Sequence, residues 1–210
     1  TLSSMPDTAG PAGRTATYHR SVAKIRTEKK ENNRIRFTVG GDRIDYTGKV
    51  NPPTADITTA ECLLNSVVST PDAKFMTIDL ANFYLNTPME RFEYMRIPLS
   101  AIPDCIMDQY NLKPLIHNGS VMVEIRKGMY GLPQAGILAN NRLVKHLATF
   151  GYSPAKHTPG LFRHATHPIT FYLVTDNFGV KYIGREHDAR LLLSLSTKPP
   201  PHGLTNASLP

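Results

Sequence analysis

Two stretches of this chain set a carboxylate among strand-forming neighbours in a way that invites a chemical reading. Phe171–Gly184 reads FYLVTDNFGVKYIG, with two β-rich runs flanking the polar pair Asp176-Asn177. Such a pattern predicts a β-hairpin with that pair at its tip, because Asp and Asn tolerate the left-handed backbone of a tight turn. Taken alone, the hairpin is fully explained as a turn. Lys74–Leu80, KFMTIDL, alternates Met76, Ile78 and Leu80 with Phe75, Thr77 and Asp79, so Asp79 closes an apolar strand. A carboxylate there is costly to bury unless paired or metal-bound, and capping a turn is the simpler alternative. Two strand-associated aspartates, one at a hairpin tip, together suggest a magnesium-dependent phosphoryl-transfer site. Magnesium prefers oxygen ligands and keeps several waters, so two or three carboxylates plus substrate phosphates suffice. A two-metal centre activates an attacking hydroxyl and stabilises a leaving pyrophosphate in an in-line displacement.

The elements that must position these residues are legible around them. Residues 1–18 are rich in Pro, Gly, Ser and Thr and read as a disordered lead-in. Arg34–Val39 alternates Ile35, Phe37 and Val39 with Arg34, Arg36 and Thr38, a half-exposed strand with arginines on its open face. Gly40-Gly41 turns the chain into Arg43–Tyr46. Thr58-x-x-Glu61 reads as a capping box for a helix with Ile57, Ala60, Leu64, Val67 and Val68 at helical spacing, ending by Pro71. Phe92–Ile97 and the alternation Val121/Val123/Ile125 read as strands, with a short helix around Pro103–Tyr110 between them. Pro133 in Gly128–Gly136, GMYGLPQAG, suits the first turn of a helix that carries Ile137, Val144, Leu147 and Phe150 and stops at Gly151. Leu161–His164 and Ile169–Thr175 lead as strands into the hairpin. Arg185–Ser196 reads as a helix that buries Leu191-Leu192-Leu193, and residues 198–210 as a disordered tail. Strands and helices in this order predict an α+β class, with one ordered region over residues 19–197.

Composition bounds the partners. The 24 Lys and Arg against 17 Asp and Glu give a net charge of +7, which favours a polyanion, nucleic acid before membrane. No apolar run approaches the roughly 18 residues of a membrane span, and no signal peptide is visible, so an intracellular, cytoplasmic or nuclear location is expected. Cys62 and Cys105, far apart in apolar contexts, read as buried free thiols in a reducing compartment. Eight histidines show no pattern such as H-E-x-x-H, and neither a Gly-rich phosphate loop nor a Ser-His-Asp order stands out. The absent initiator Met reads as a fragment or an incomplete open reading frame.

With the three motifs laid out in order, the chain from about Arg34 to Leu193 resembles the reverse transcriptases of long-terminal-repeat retrotransposons. The first palm motif of that family, an aspartate followed by an aromatic segment, is similar to Asp79-Leu80-Ala81-Asn82-Phe83-Tyr84-Leu85. Leu132-Pro133-Gln134-Ala135-Gly136 resembles the next palm motif. The third, two adjacent aspartates in a hairpin turn, falls on Asp176-Asn177. The resemblance implies a polymerase palm, an antiparallel sheet with helices packed on one face, plus partial fingers. It implies RNA-templated addition of deoxynucleotides to a primer 3′-hydroxyl with two Mg2+ ions, and a template–primer as partner. Asp79 and Asp176 would be the metal ligands. Tyr84 would lie beneath the incoming sugar and reject a 2′-hydroxyl. Gln134 would contact the incoming nucleotide, and Arg36 the triphosphate or template backbone.

The chain departs from the family at Asn177. An amide oxygen still touches a cation, but a full negative charge is lost where two divalent ions would gather, so a weakened or inactive copy is expected. No thumb, connection or ribonuclease H segment is recognisable after the hairpin helix, which reads as truncation. The alternative from a different class is a non-catalytic nucleic-acid-binding module that uses the basic fingers face alone. Its binding would weaken steeply with salt and ignore magnesium.

Overall fold

The computed structural model of the protein describes residues 2–4, 14–28, 32–184 and 186–196. Its strands are β1 (Leu2–Ser4), β2 (Thr17–Ile25), β3 (Asn33–Val39), β4 (Ala73–Asp79), β5 (Pro88–Pro98), β6 (Ile116–His117), β7 (Ser120–Lys127), β8 (Tyr152–Pro154), β9 (Leu161–His164), β10 (Ile169–Val174) and β11 (Asn177–Ile183). Its α-helices are α1 (Ile57–Val68), α2 (Asp104–Gln109), α3 (Ala135–Ala148) and α4 (Glu186–Ser196). The class is α+β, as the order of elements predicts. The chain forms two compact units. One comprises Thr1–Gly48 with Pro88–Ala135, the other Lys49–Thr87 with Gly136–Pro210.

The first unit is built on a sheet of order β1-β7-β5-β2-β3, with β6 also on β7. The pairings are antiparallel except β2 with β5, where Thr17 and Tyr18 run parallel to Met95 and Arg96. β7 is the centre of this unit: Val121 through Ile125 are all buried, so Glu124 is enclosed along with the expected apolar positions. Glu124 is paired with Arg126 at 2.6 Å and accepts from Tyr94 at 3.3 Å, as a buried carboxylate requires. The expected disordered lead-in carries structure at both ends. Leu2–Ser4 pairs with Ile125, Glu124 and Val123 of β7, and Arg14 donates to Glu93 at 2.6 Å. Most of residues 1–13, and the tail 198–210, lie outside the described residues.

The second unit is an antiparallel sheet of order β4-β11-β10-β9-β8. Ile78, Phe171, Leu173, Phe178 and Val180 meet Ala139, Leu143 and Leu147 of α3 and Leu191 and Leu195 of α4 in one buried cluster. Period-two burial on the strands and 3.6-residue spacing on the helices are what fill it. Helices α3 and α4 thus share a core with the sheet, but α1 does not. Its one buried side chain, Leu63, lies outside that cluster. The C-terminal turn of α1 is tied instead to Lys181, which alternates with the core residues Val180 and Tyr182 along β11 and so points to the other face. Its ammonium donates to the Ser66 carbonyl at 2.9 Å, to Ser66 Oγ at 3.1 Å and to Thr70 Oγ1 at 2.7 Å.

Three local expectations are corrected here. The cap of α1 is Asp56, whose carboxylate accepts from the Thr59 N–H at 2.7 Å, rather than the Thr58–Glu61 box. The helix starts two residues earlier than that motif requires, and Asp is as good an N-cap as Thr. Ile57, Leu64 and Val68 on this helix are exposed rather than core-facing. Cys62 and Cys105 are free, as expected, but exposed rather than buried, because α1 encloses only Leu63 and α2 only Met107.

Candidate functional site

The hairpin tip comes first. Val174 pairs with Asn177, so the two turn residues are Thr175 and Asp176, one position earlier than the pair read from the sequence. Thr175 takes the left-handed φ of +61°, a strained choice for a β-branched side chain. The shift has a chemical consequence. Asn177 is no longer a turn residue but the first residue of β11, and it sits directly across from Asp79, the last residue of β4.

Register then fixes the face. Ile78 is paired with Phe178, and both are buried in the core. Successive side chains alternate across a strand, so Asp79 and Asn177 both point to the opposite, exposed side. The Leu80 N–H donates to the Asp176 carbonyl at 3.0 Å, which keeps the turn alongside the end of β4. Asn177 Nδ2 donates to Asp176 Oδ1 at 3.0 Å. Asp79 and the Asp176-Asn177 pair, far apart in sequence, therefore share one end of one sheet. Asp79 makes no side-chain hydrogen bond or ion pair among the described residues.

This donor set is two carboxylates and one amide. It suits one oxygen-seeking divalent cation, whose remaining positions water or phosphate would fill. Asn177 adds an oxygen but no negative charge to this set. Among the described residues no group of three or more His, Cys, Asp or Glu is arranged to hold a metal.

On the same face, Gly179 lies under the Tyr172 ring, where an added Cβ would come within 2.1 Å of Cζ, so a side chain there would displace that ring. Tyr84 follows Asp79 in the turn-rich segment 80–87 of the same unit. It is half-buried, packs against the core cluster, and lies 5.6 Å from the Phe83 ring centroid.

Gln134 and Arg36 belong to the first unit. Gln134 is only 2 % exposed; its Nε2 donates to Glu93 Oε1 at 3.0 Å, and its buried Oε1 has no partner. Glu93, itself buried, is also held by Arg14. Sequence reasoning passed over Glu93, although a carboxylate inside a hydrophobic strand was the available signal. Arg36 lies on the β2–β3 ribbon opposite Val22, with its guanidinium carbon 5.3 Å from the Tyr130 ring centroid. The ribbon register places Arg20, Lys24, Arg34 and Arg36 on one face. The other face carries Ile25, Ile35 and Phe37, which are exposed too, so this strand pair is less enclosed than the alternation implied.

The chain matches no protein-family model and no curated protein. Among the described residues no helix is long and apolar enough to cross a membrane.

Proposed function

We propose that the chain is the fingers and palm portion of a reverse transcriptase of the long-terminal-repeat retrotransposon type, with a weakened catalytic centre. The observation that carries this reading is the pairing of Asp79 with Asn177 on adjacent strands, with Asp176 in the turn beside them. The second unit would be the palm. Template–primer and deoxynucleotides would be the partners, and the site of action intracellular.

In this reading Asp79 and Asp176 hold magnesium, which when bound would promote attack by a primer 3′-hydroxyl and stabilise the leaving pyrophosphate. The protein's own contribution is position and charge. Two carboxylates gather the cation, and the Asn177 amide keeps the Asp176 carboxylate in place without adding charge. Tyr84 would bar a 2′-hydroxyl. Gln134 would serve the incoming nucleotide from the position Glu93 gives it, and Arg36 would meet phosphate. The test is extension of a primed RNA template in magnesium by wild type, Asn177→Asp and Asp79→Ala. The expected order is Asn177→Asp above wild type, with Asp79→Ala inactive. Equal extension by all three would defeat the proposal.

A second reading is favoured by one observation, the four cationic side chains on a single face of the β2–β3 ribbon. A module that binds nucleic-acid phosphates through this face alone would lose affinity steeply with salt and be indifferent to Asp79→Ala.

A further inference from the structure

Away from the hairpin tip, the second unit has a groove of about 570 Å3 between α3 and the segment 154–162. That volume lies within the range of small-molecule sites. Its trough is mainly apolar, with Val144, Pro154 and Phe162 among the lining residues. Its polar lining comprises Asn140, Asn141, His157 and Thr158 with two lysines, and no acid. Lys145 and Lys156 stand exposed at its sides, form no ion pair among the described residues, and no Asp or Glu lines the groove. Inside it Asn140 is only 4 % exposed and makes no side-chain hydrogen bond among the described residues. The little surface Asn140 keeps opens on the groove, so its amide can pair with a ligand's polar edge in exchange for water.

The groove is also preformed. Gly160, at φ +73°, is pressed so close to the Thr54-Ala55 backbone that an added Cβ would lie 2.0 Å from the Ala55 nitrogen. Its carbonyl accepts from Leu173 N–H at 2.7 Å, and Ala55 N–H donates to the Leu173 carbonyl at 3.0 Å. The far wall is thereby fastened to β10.

An apolar trough with an amide open to it and a rim of unopposed cations is complementary to a flat heteroaromatic body that carries anionic charge. An amide offers one donor and one acceptor side by side, the complement of the adenine N6/N7 edge. We propose that this groove binds an adenine nucleotide, with the base in the trough against the Asn140 amide and the phosphates on Lys145 and Lys156. None of these residues belongs to the Asp79–Asp176 site, so the proposal stands apart from the polymerase reading.

The experiment is calorimetric titration of the whole chain with ATP in EDTA, which removes any metal-dependent binding at the hairpin tip, with inorganic tripolyphosphate as the comparison. Saturable binding is expected, with ATP at least about tenfold tighter than tripolyphosphate, since the base supplies its own contacts. Lys145→Glu and Lys156→Glu, both at exposed positions that the fold does not need, should each weaken ATP by about tenfold or more. Asn140→Ala should remove most of the preference for ATP over tripolyphosphate. Absence of saturable binding, charge reversals without effect, or tripolyphosphate bound as tightly as ATP would each overturn the proposal.

Discussion

Replacing Asn177 by aspartate tests the local electrostatics of the hairpin tip before any catalysis is asked of it. In the wild type the Asn177 amide donates to Asp176 Oδ1 at 3.0 Å. Asn177→Asp turns that attraction into a repulsion between two carboxylates about 4 Å apart, worth ~1 kcal/mol in water and ~4 kcal/mol at an effective dielectric of about 20. Asn177 is exposed and Asp176 half-buried, so the lower end applies. Adding ~0.5–1 kcal/mol for the lost hydrogen bond gives a destabilisation of about 2 kcal/mol in metal-free buffer. For a chain of this size that lowers the melting temperature by roughly 4–8 °C. A divalent ion seated among three carboxylates offsets most of this: at about ten times its dissociation constant it returns ~1.4 kcal/mol. The assay is thermal or urea unfolding of both proteins in EDTA and in about 10 mM magnesium. Asn177→Asp should be the less stable protein in EDTA and gain more from magnesium than the wild type does. Equal stability in EDTA, or equal gain from magnesium, would refute the arrangement of Asp79, Asp176 and residue 177 around one point.

Other expectations concern the scaffold that holds this tip. Lys181→Met keeps the aliphatic stem but removes all three donors to Ser66 and Thr70 at the end of α1, and should cost about 2 kcal/mol in urea unfolding with an unchanged slope. The Tyr152 hydroxyl is buried without a partner, and burial pushes its phenol up to about 12. The unfolded chain releases that proton near pH 10 and the folded chain does not, so wild-type stability should fall between about pH 10 and 12. Tyr152→Phe should be about 1 kcal/mol more stable at neutral pH and lack this alkaline loss from residue 152. His167 is held below the ordinary imidazole range, first by desolvation and then by Arg190, His164 and His187. Its neutral form is favoured in the folded state, so stability should drop as pH falls from about 6.5 toward its lowered value. Melting curves of His167→Gln should show a smaller acid loss than those of the wild type.

The second unit was more legible in the sequence than the first. KFMTIDL and FYLVTDNFGVKYIG alternate cleanly because each strand has one buried face, and that face supplies Ile78, Phe171, Phe178 and Val180 to the core. The same periodicity put Asp79 on the exposed side. What it did not give was register. A polar pair between two strands fits the turn equally well at Thr175-Asp176 or Asp176-Asn177, and only the backbone, with Thr175 at positive φ, decides. That single step moved Asn177 from the tip to the position facing Asp79. Alternation also failed on β7 and on the β2–β3 ribbon, in opposite directions. A central strand is covered on both faces, so Glu124 is buried, whereas on the ribbon Phe37 is exposed along with Arg36. The α1 pattern misled for a related reason: 3.6-residue spacing announces an apolar face without saying what covers it. Glu93 and Gln134, one in a strand and one in a loop, form a contact that local pattern does not announce.

The central claim, that Asp79 and Asp176 together hold a divalent cation, is tested most directly by titrating manganese into the protein and following free ion by electron paramagnetic resonance. Wild type should bind manganese saturably, magnesium should compete, and Asp79→Ala and Asp176→Ala should each weaken binding by about tenfold or more. Manganese binding that is indifferent to either substitution, or absent from the wild type, would contradict the claim.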